Sequence, residues 1–351
     1  MSQFIQVHML TSYPPANLNR DDLGRPKTAF MGGAQRLRIS SQSLKRAWRT
    51  SDLYQAALDG HVGTRTKEMG VRVFRALLEK KIDEKKAKGW AQKIAEVFGK
   101  RKGTNKDNPL QDLEIEQLAH FSPEETQAIN MLIDKLAETR KDPSEKDLEL
   151  LQETHKAADI AMFGRMLADA PRYNTEAAVQ VAHAITVHEV AIEDDYFTAV
   201  DDLNEGRDDV GAAHIGETEF AAGLFYLYVC IDGDLLRENL QKDNDLCRRA
   251  RRALVEAAAK VGPTGKQNSF GSRGYALYVL AEKGKEQPRS LAVAFLKPVR
   301  GKDMFTDSVN VLSVTRTNMD KVYGSCAEAH KEMNAMTGEG SLEEILKFVE
   351  E

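Results

Sequence analysis

Cysteine, proline and long apolar runs are all in short supply in this chain, and their scarcity removes whole classes of protein. The three cysteines, Cys230, Cys247 and Cys326, are odd in number, widely spaced and include no CxxC pair. A disulfide framework or a cysteine zinc site is thereby excluded, and the usage fits a reducing compartment. No apolar run approaches the roughly 18 residues that a membrane helix needs. The first ten residues alternate like a strand, with neither the basic flank nor the apolar block of a secretory leader. A cytoplasmic protein with no membrane partner is therefore expected. With 10 prolines in 351 residues there is no low-complexity linker, and no internal repeat is present. Hydrophobic residues at 42% and charged residues at 29% are those of a globular chain. The length suits one elaborated domain, or one domain carrying large insertions.

What is present is charge, unevenly distributed. The net charge of −5 argues on its own against a nucleic-acid partner, but residues 1–50 carry +6 and residues 189–220 carry −10. Asymmetry of this kind marks a polyanion site, or surfaces that meet tail to head. Each run also has a plain reading as a solvated face.

Periodicity places the elements coarsely. Residues 2–10 read as a strand. Residues 12–36 are long, polar and too aperiodic for regular structure, a length at which loops are functional or disordered. Ser40 or Ser41 caps a helix whose apolar stripe is Leu44, Ala47 and Trp48, with Lys45, Arg46 and Arg49 on its other side. Residues 65–165 read as a helical lobe, with helix starts at Asp107-Asn108-Pro109 and Ser122-Pro123-Glu124-Glu125. Residues 179–190 alternate as a strand. Leu224–Ile231 is apolar throughout and reads as a central one. The acidic stretch between them forms a projecting hairpin. An amphipathic helix spans Asp245–Val261, strands are expected at Tyr275–Leu280 and Leu291–Leu296, and Leu342–Val349 closes the chain as a helix. With both inserts set aside, the order strand, helix, strand, strand, helix, strand describes an α+β, ferredoxin-like or RNA-recognition-type sandwich.

Candidate chemistry is sparse. His183 and His188, five apart on a strand, face opposite sides and cannot share a metal without a bulge. No HExxH occurs, so neither a metal nor a cofactor is expected. Gly262-Pro263-Thr264-Gly265-Lys266-Gln267 resembles a phosphate loop, but the Walker spacing is missing and the preceding helix points its negative end at the loop. It reads as a glycine cap and turn, with Lys266 and Gln267 left as side-chain contacts to a nucleic-acid backbone. Met166, beside Gly164-Arg165, is either core or an exposed side chain that slides against a nucleobase. Tyr196-Phe197-Thr198-Ala199-Val200 is an apolar island in the acidic run. It reads either as support for the hairpin or as a wedge pressed onto a partner or between bases.

Together these residues carry a family. Leu18-Asn19-Arg20-Asp21-Asp22, Lys27, Gly32-Gly33 and the segment Arg36–Arg46 strongly resemble the backbone subunit of the type I-E CRISPR surveillance complex Cascade, the CasC family. The likeness continues through Gly164-Arg165-Met166, Ala182-His183-Ala184-Ile185-Thr186, Phe197–Asp202 and His214–Phe220. It is specific over about residues 1–65 and 157–232.

The resemblance implies a hand. A modified RNA-recognition palm comprises 1–60, 180–190 and 222–351. Helical fingers occupy 61–179, and a hairpin thumb 191–221. It implies a non-catalytic protein that polymerises head to tail along CRISPR RNA (crRNA), the guide, beside other Cascade subunits, and presents guide bases to target DNA. Arg20, Lys27, Ser40, Gln42, Lys45, Arg46 and Arg49 would grip the RNA backbone. Met166 would separate bases, and Phe197 with Val200 would form the thumb wedge. Cations that neutralise phosphates without reading sequence suit a guide whose bases vary. The aromatic strand motif of RNA-recognition domains is absent, so base stacking on the sheet is not expected. The acidic thumb would lie against a basic surface of the next copy. Two rivals remain: an endoribonuclease on the same fold using Asp21 or Asp22, and a monomeric single-strand RNA-binding module.

Overall fold

The structure is a computed structural model that describes residues 3–199 and 214–351. The chain opens with β1 (Phe4–Ala16), then the hairpin β2 (Thr28–Met31) and β3 (Ala34–Ile39), then α1 (Ser41–Arg49) and α2 (Asp52–Ala57). A lobe follows, built from β4 (Thr64–Thr66), α3 (Met69–Glu79), α4 (Glu84–Glu96), β5 (Ala119–Phe121), α5 (Pro123–Thr139) and α6 (Ala158–Phe163). Strands β6 (Val179–Val181), β7 (Ala184–Thr186), β8 (Glu193–Ala199) and β9 (His214–Asp232) come next. They are succeeded by α7 (Gly233–Asn239), α8 (Asn244–Lys260) and a short α9 (Gln267–Phe270). The chain closes with β10 (Ala276–Gly284), α10 (Met304–Tyr323), β11 (Ala329–Asn334) and α11 (Leu342–Glu350).

Among the described residues, one nine-stranded sheet runs β11-β10-β1-β9-β7-β3-β2, with β6 and β8 also paired to β9. β1 lies antiparallel between β10 and β9, so Val7 faces Ala281 on one side and Val229 on the other. Alternation sends Ile5, Val7, Met9, Leu227 and Val229 into one core with Leu44, Trp48, Ala250 and Leu254 of α1 and α8. The intervening Leu10, Tyr226, Tyr228, Tyr278 and Leu280 enter a second core with Leu291, Phe295 and Leu312. Burial on both faces explains why Leu224–Ile231 is apolar without alternation. The lobe has a third core of its own, confined to residues between Met69 and Leu167.

Local chemistry sets the elements that matter most. Ser40 accepts a hydrogen bond from the Ser43 N–H and caps α1. Trp48 is wholly buried there and donates to the Val261 carbonyl at 3.1 Å. Truncating so large a buried aromatic costs about 3–5 kcal/mol. Ser122 and Glu125 form a reciprocal capping box at the start of α5.

Five expectations need correction. Residues 12–36 are not irregular: β1 runs on to Ala16, and β2 and β3 pair around Gly32-Gly33, whose φ values are +61° and +78°. Positive φ at both central residues is the type I′ pattern, one of the two turns that close a two-residue hairpin. The 179–190 strand is broken into β6 and β7, which both pair with β9. Leu291–Leu296 is a single 3-10 turn at Ala292–Phe295, and no α-helix starts at Asp107–Pro109, where only a 3-10 turn, Gln111–Leu113, follows. Gly262 is not a left-handed cap either. A Cβ there would lie 2.8 Å from the Tyr13 hydroxyl, so its smallness admits Tyr13. The left-handed residue of that turn is Lys266, at φ +48°. Among the described residues no helix is long and apolar enough to cross a membrane.

Candidate nucleic-acid interface

The cations of the N-terminal segment do not all reach one surface. Arg36 is wholly buried, its guanidinium donating to the carbonyls of Thr186 (2.8 Å) and Phe295 (2.9 Å). It therefore ties β3 to β7 and to the second core. Arg20 and Arg46 are exposed and line an open polar cleft of about 380 Å³ with Asn19, Ser43, Thr50 and the Thr264-Gly265 turn. Gly265 is required there, since a Cβ would lie 2.3 Å from the Leu18 carbonyl oxygen. Lys27 flanks the cleft on the strand side, half-buried, its N–H donating to the Asn19 carbonyl at 2.8 Å.

The first turn of α1 is finely tied. Asn19 Oδ1 accepts from the Ser40 N–H at 2.8 Å, and His183 Nδ1 accepts from the Ser41 N–H at 3.1 Å. Gln42 projects outward beside them. Lys45 stands 5.6 Å from the Phe163 ring centroid, and partial burial lowers its ammonium from the ordinary lysine value.

Arg49 behaves differently from its neighbours. Its side chain is only 12% exposed, and Nη1 lies 3.6 Å from the buried Asp159 carboxylate. Asp159 also accepts from His120 Nε2 at 2.7 Å and from the Gly63 N–H at 2.8 Å. Burial pushes that carboxyl upward, but the His120 hydrogen bond and charge, the Gly63 N–H and Arg49 outweigh it and hold it below the ordinary value. The cluster joins the end of α1 to both ends of the lobe.

Met166 is 76% exposed, so the core reading of this residue falls. The cause is its neighbour: Arg165 is buried, with Nη1 at 2.7 Å from Glu125 Oε2, and it also donates to the carbonyls of Gln152 and Tyr173. Locking Arg165 inward after the left-handed Gly164 turns Met166 out.

In the acidic stretch β8 pairs antiparallel with the first part of β9, from Glu193↔Phe220 to Ala199↔His214. Tyr196 and Phe197 are both exposed there, at 64% and 43%. The Phe197 ring lies across Gly216, where any Cβ would collide with it. Val200 and the acids Asp201, Asp202, Glu205, Asp208 and Asp209 lie outside the described residues. The hairpin base is held by Arg25 to Glu219 (3.1 Å), by Asn17 Nδ2 donating to the Glu219 carbonyl (2.9 Å), and by Lys266 Nζ on Thr218 Oγ1. Lys266 thus ties the Gly265 turn to the hairpin, and Gln267 begins α9 beside it. Asp21 spends its Oδ1 on the N–H groups of Leu23 and Arg25, ordering the loop, while Asp22 is exposed. Among the described residues no group of three or more His, Cys, Asp or Glu side chains could hold a metal ion.

Sequence reasoning weighed His183 only as a metal ligand and did not place it on this surface, where its Nδ1 accepts from the Ser41 N–H. Its signal was the run Ala182–Thr186 itself, in which a histidine interrupts two short strands.

Comparison with known proteins adds an independent line. Residues 5–347 match the family described as CT1975-like protein. No curated protein matches the chain. Among solved structures, a chain of a "CRISPR RNA-guided surveillance complex, pre-nicking" is 29% identical, covers 92% of this chain and 90% of its own length, and superposes with a TM-score of 0.81. A chain of a second "CRISPR RNA-guided surveillance complex" is 24% identical, covers 97% and 93%, and has a TM-score of 0.73, which shows a shared fold.

Proposed function

From a chain that belongs to the CT1975-like family, we propose a crRNA-binding subunit of a CRISPR surveillance complex. Within it we assign the role of a non-catalytic backbone subunit of type I-E Cascade, polymerising head to tail along the guide and presenting its bases to target DNA. The observation that carries the reading is the cleft between α1 and the 262–267 turn. Arg20 and Arg46 stand on it, Lys27 flanks it, and the helix that bears Arg46 is capped and braced on its inner side by Trp48. Exposed cations on a rigid, non-aromatic ledge neutralise phosphates and leave bases untouched. The sheet supports an RNA-recognition-like palm. Taken as β1, β6/β7, β9 and β10, the four core strands lie in the order fourth, first, third, second, with α1 and α8 on one face. The separate core of the lobe supports fingers, and the β8–β9 hairpin a thumb.

The test is purification without added RNA, followed by nuclease digestion of what co-purifies. A protected ladder with a constant step supports a periodic assembly, and a single short footprint supports a monomeric module. The enzymatic alternative requires metal-dependent cleavage of a bound complementary RNA that is lost in Asp22→Ala.

A further inference from the structure

His183 is an exposed imidazole whose two nitrogens face different worlds. Nδ1 is met by two donors, the Ser41 N–H at 3.1 Å and Arg38 Nη1 at 3.4 Å. A nitrogen that accepts from an N–H and a guanidinium carries no proton of its own, so the ring proton resides on Nε2. Among the described residues Nε2 has no protein acceptor, and the ring is exposed. The charged groups that face this ring are Arg38 on β3 and Lys27 on the approach to β2. Together with burial, which acts first, they lower the imidazole from its ordinary value. A second proton would have to enter at Nδ1, against both donors.

We propose that His183 is a further RNA-contacting residue: a neutral donor, fixed in its Nε2–H form by the first turn of α1, that hydrogen-bonds a phosphate or ribose oxygen of the guide between Lys27, Arg38 and Gln42. This rests on the RNA-binding reading above and adds a contact of a different kind. The neighbouring cations attract the backbone at any register, whereas a single oriented N–H accepts one oxygen at one place. It sets where the strand sits on the ledge.

The test uses the full chain and a short single-stranded RNA, with affinity measured against salt at several pH values. His183→Asn keeps an acceptor near the Nδ1 position for the Ser41 N–H and removes the Nε2 donor. It is expected to leave thermal stability unchanged and to weaken binding about five- to tenfold. His183→Gln, whose amide nitrogen reaches the Nε2 position, is expected to recover most of that loss. A neutral donor releases no counterion, so the salt slope stays as in the native chain, and the effect is flat between pH 6.5 and 8. Binding that tightens below pH 6.5, with a slope that changes by roughly 0.7 in His183→Asn, would mean a cationic histidine and overturn the proposal. Native-like binding by His183→Asn while Arg46→Ala binds weakly would also overturn it, and would leave the RNA reading intact. Failure of the native chain to bind RNA at all would refute that reading itself.

Discussion

Arg46 and Arg49 sit three residues apart on one helix and should give opposite results when removed. Arg46 is exposed over the cleft, whereas Arg49 is mostly buried against Asp159. For single-stranded nucleic acid each neutralised phosphate contributes roughly 0.7 to the slope of log affinity against log salt. Arg46→Ala should therefore flatten the slope by about 0.7 per copy. Over a fourfold rise in salt, the ratio of native to variant affinity should shrink by about 2.6-fold. Arg49→Ala should leave the slope alone. Its cost is to folding, because Asp159 keeps His120 and the Gly63 N–H but loses its cation. That costs about 1–3 kcal/mol, visible as a lowered urea midpoint. The assays are fluorescence anisotropy with a short RNA across a salt series, and urea unfolding of each variant. If Arg49→Ala flattens the slope as much as Arg46→Ala and leaves the midpoint unmoved, Arg49 must leave Asp159 to reach RNA, and the division of roles between the two arginines fails.

Three further outcomes follow from the geometry. Met166→Ala should change stability by less than about 0.5 kcal/mol yet make the guide's bases more uniform to chemical probing, where loss of periodic reactivity is the readout. Gly32→Ala would place a methyl 1.5 Å from the Leu296 carbonyl oxygen and should cost roughly 3 kcal/mol or more. Gly33→Ala, with open space around it, should cost only about 1 kcal/mol of left-handed strain, so equal melting temperatures would contradict the packing. Glu282 is wholly buried between His8, Arg289 and Arg316. Burial works to raise its carboxyl, but the hydrogen bonds from His8 and Arg289 prevail and hold it far below the usual range. A depressed carboxyl stabilises above its unfolded value, and that stability drains away as pH falls toward the folded one. Glu282→Gln should therefore cost roughly 3–5 kcal/mol at pH 7, and the gap from the native chain should close progressively below about pH 4. A gap that is constant with pH would refute the assignment.

The parts legible in the sequence were those where one physical rule acted alone. Ser40 as a cap, the Ser122 capping box, the α8 stripe and the doubly buried β9 all satisfied a single pattern. The parts that misled were those where two demands met. In β3 the buried Arg36 stands where alternation asks for an apolar residue, so the β2–β3 hairpin read as loop. α10 escaped notice because, over 20 residues, only Ser308 and Leu312 are buried. Arg316 and Asp320 help to attach it through Glu282 and Arg289, a pairing that interrupts the half-buried stripe of Phe305, Val309, Leu312 and Met319. β11 is an edge strand, exposed along most of its length. At the interface, charge alone assigned Arg49 to phosphate when a buried carboxylate 110 positions later had claimed it. His183 was read only as a possible metal ligand because its value lies in a tautomer that the Ser41 N–H reveals.

The second core has a consequence for anyone reading this surface by mutation. Tyr226, Tyr228 and Tyr278 occupy the sheet face on which aromatic rings would ordinarily be taken for nucleobase platforms. Here they are mortar, buried beneath the 3-10 turn and α10, with Tyr226 accepting from the Leu291 N–H at 3.0 Å. An alanine scan of these tyrosines would show lost RNA binding and invite a false map of contacts, when what had failed was the wall behind the ledge. With its broad face sealed, such a sheet has only its rim left for a ligand. A strand held at a rim, by its backbone, has one side facing away from the protein, and that free side is what a second strand would need in order to pair.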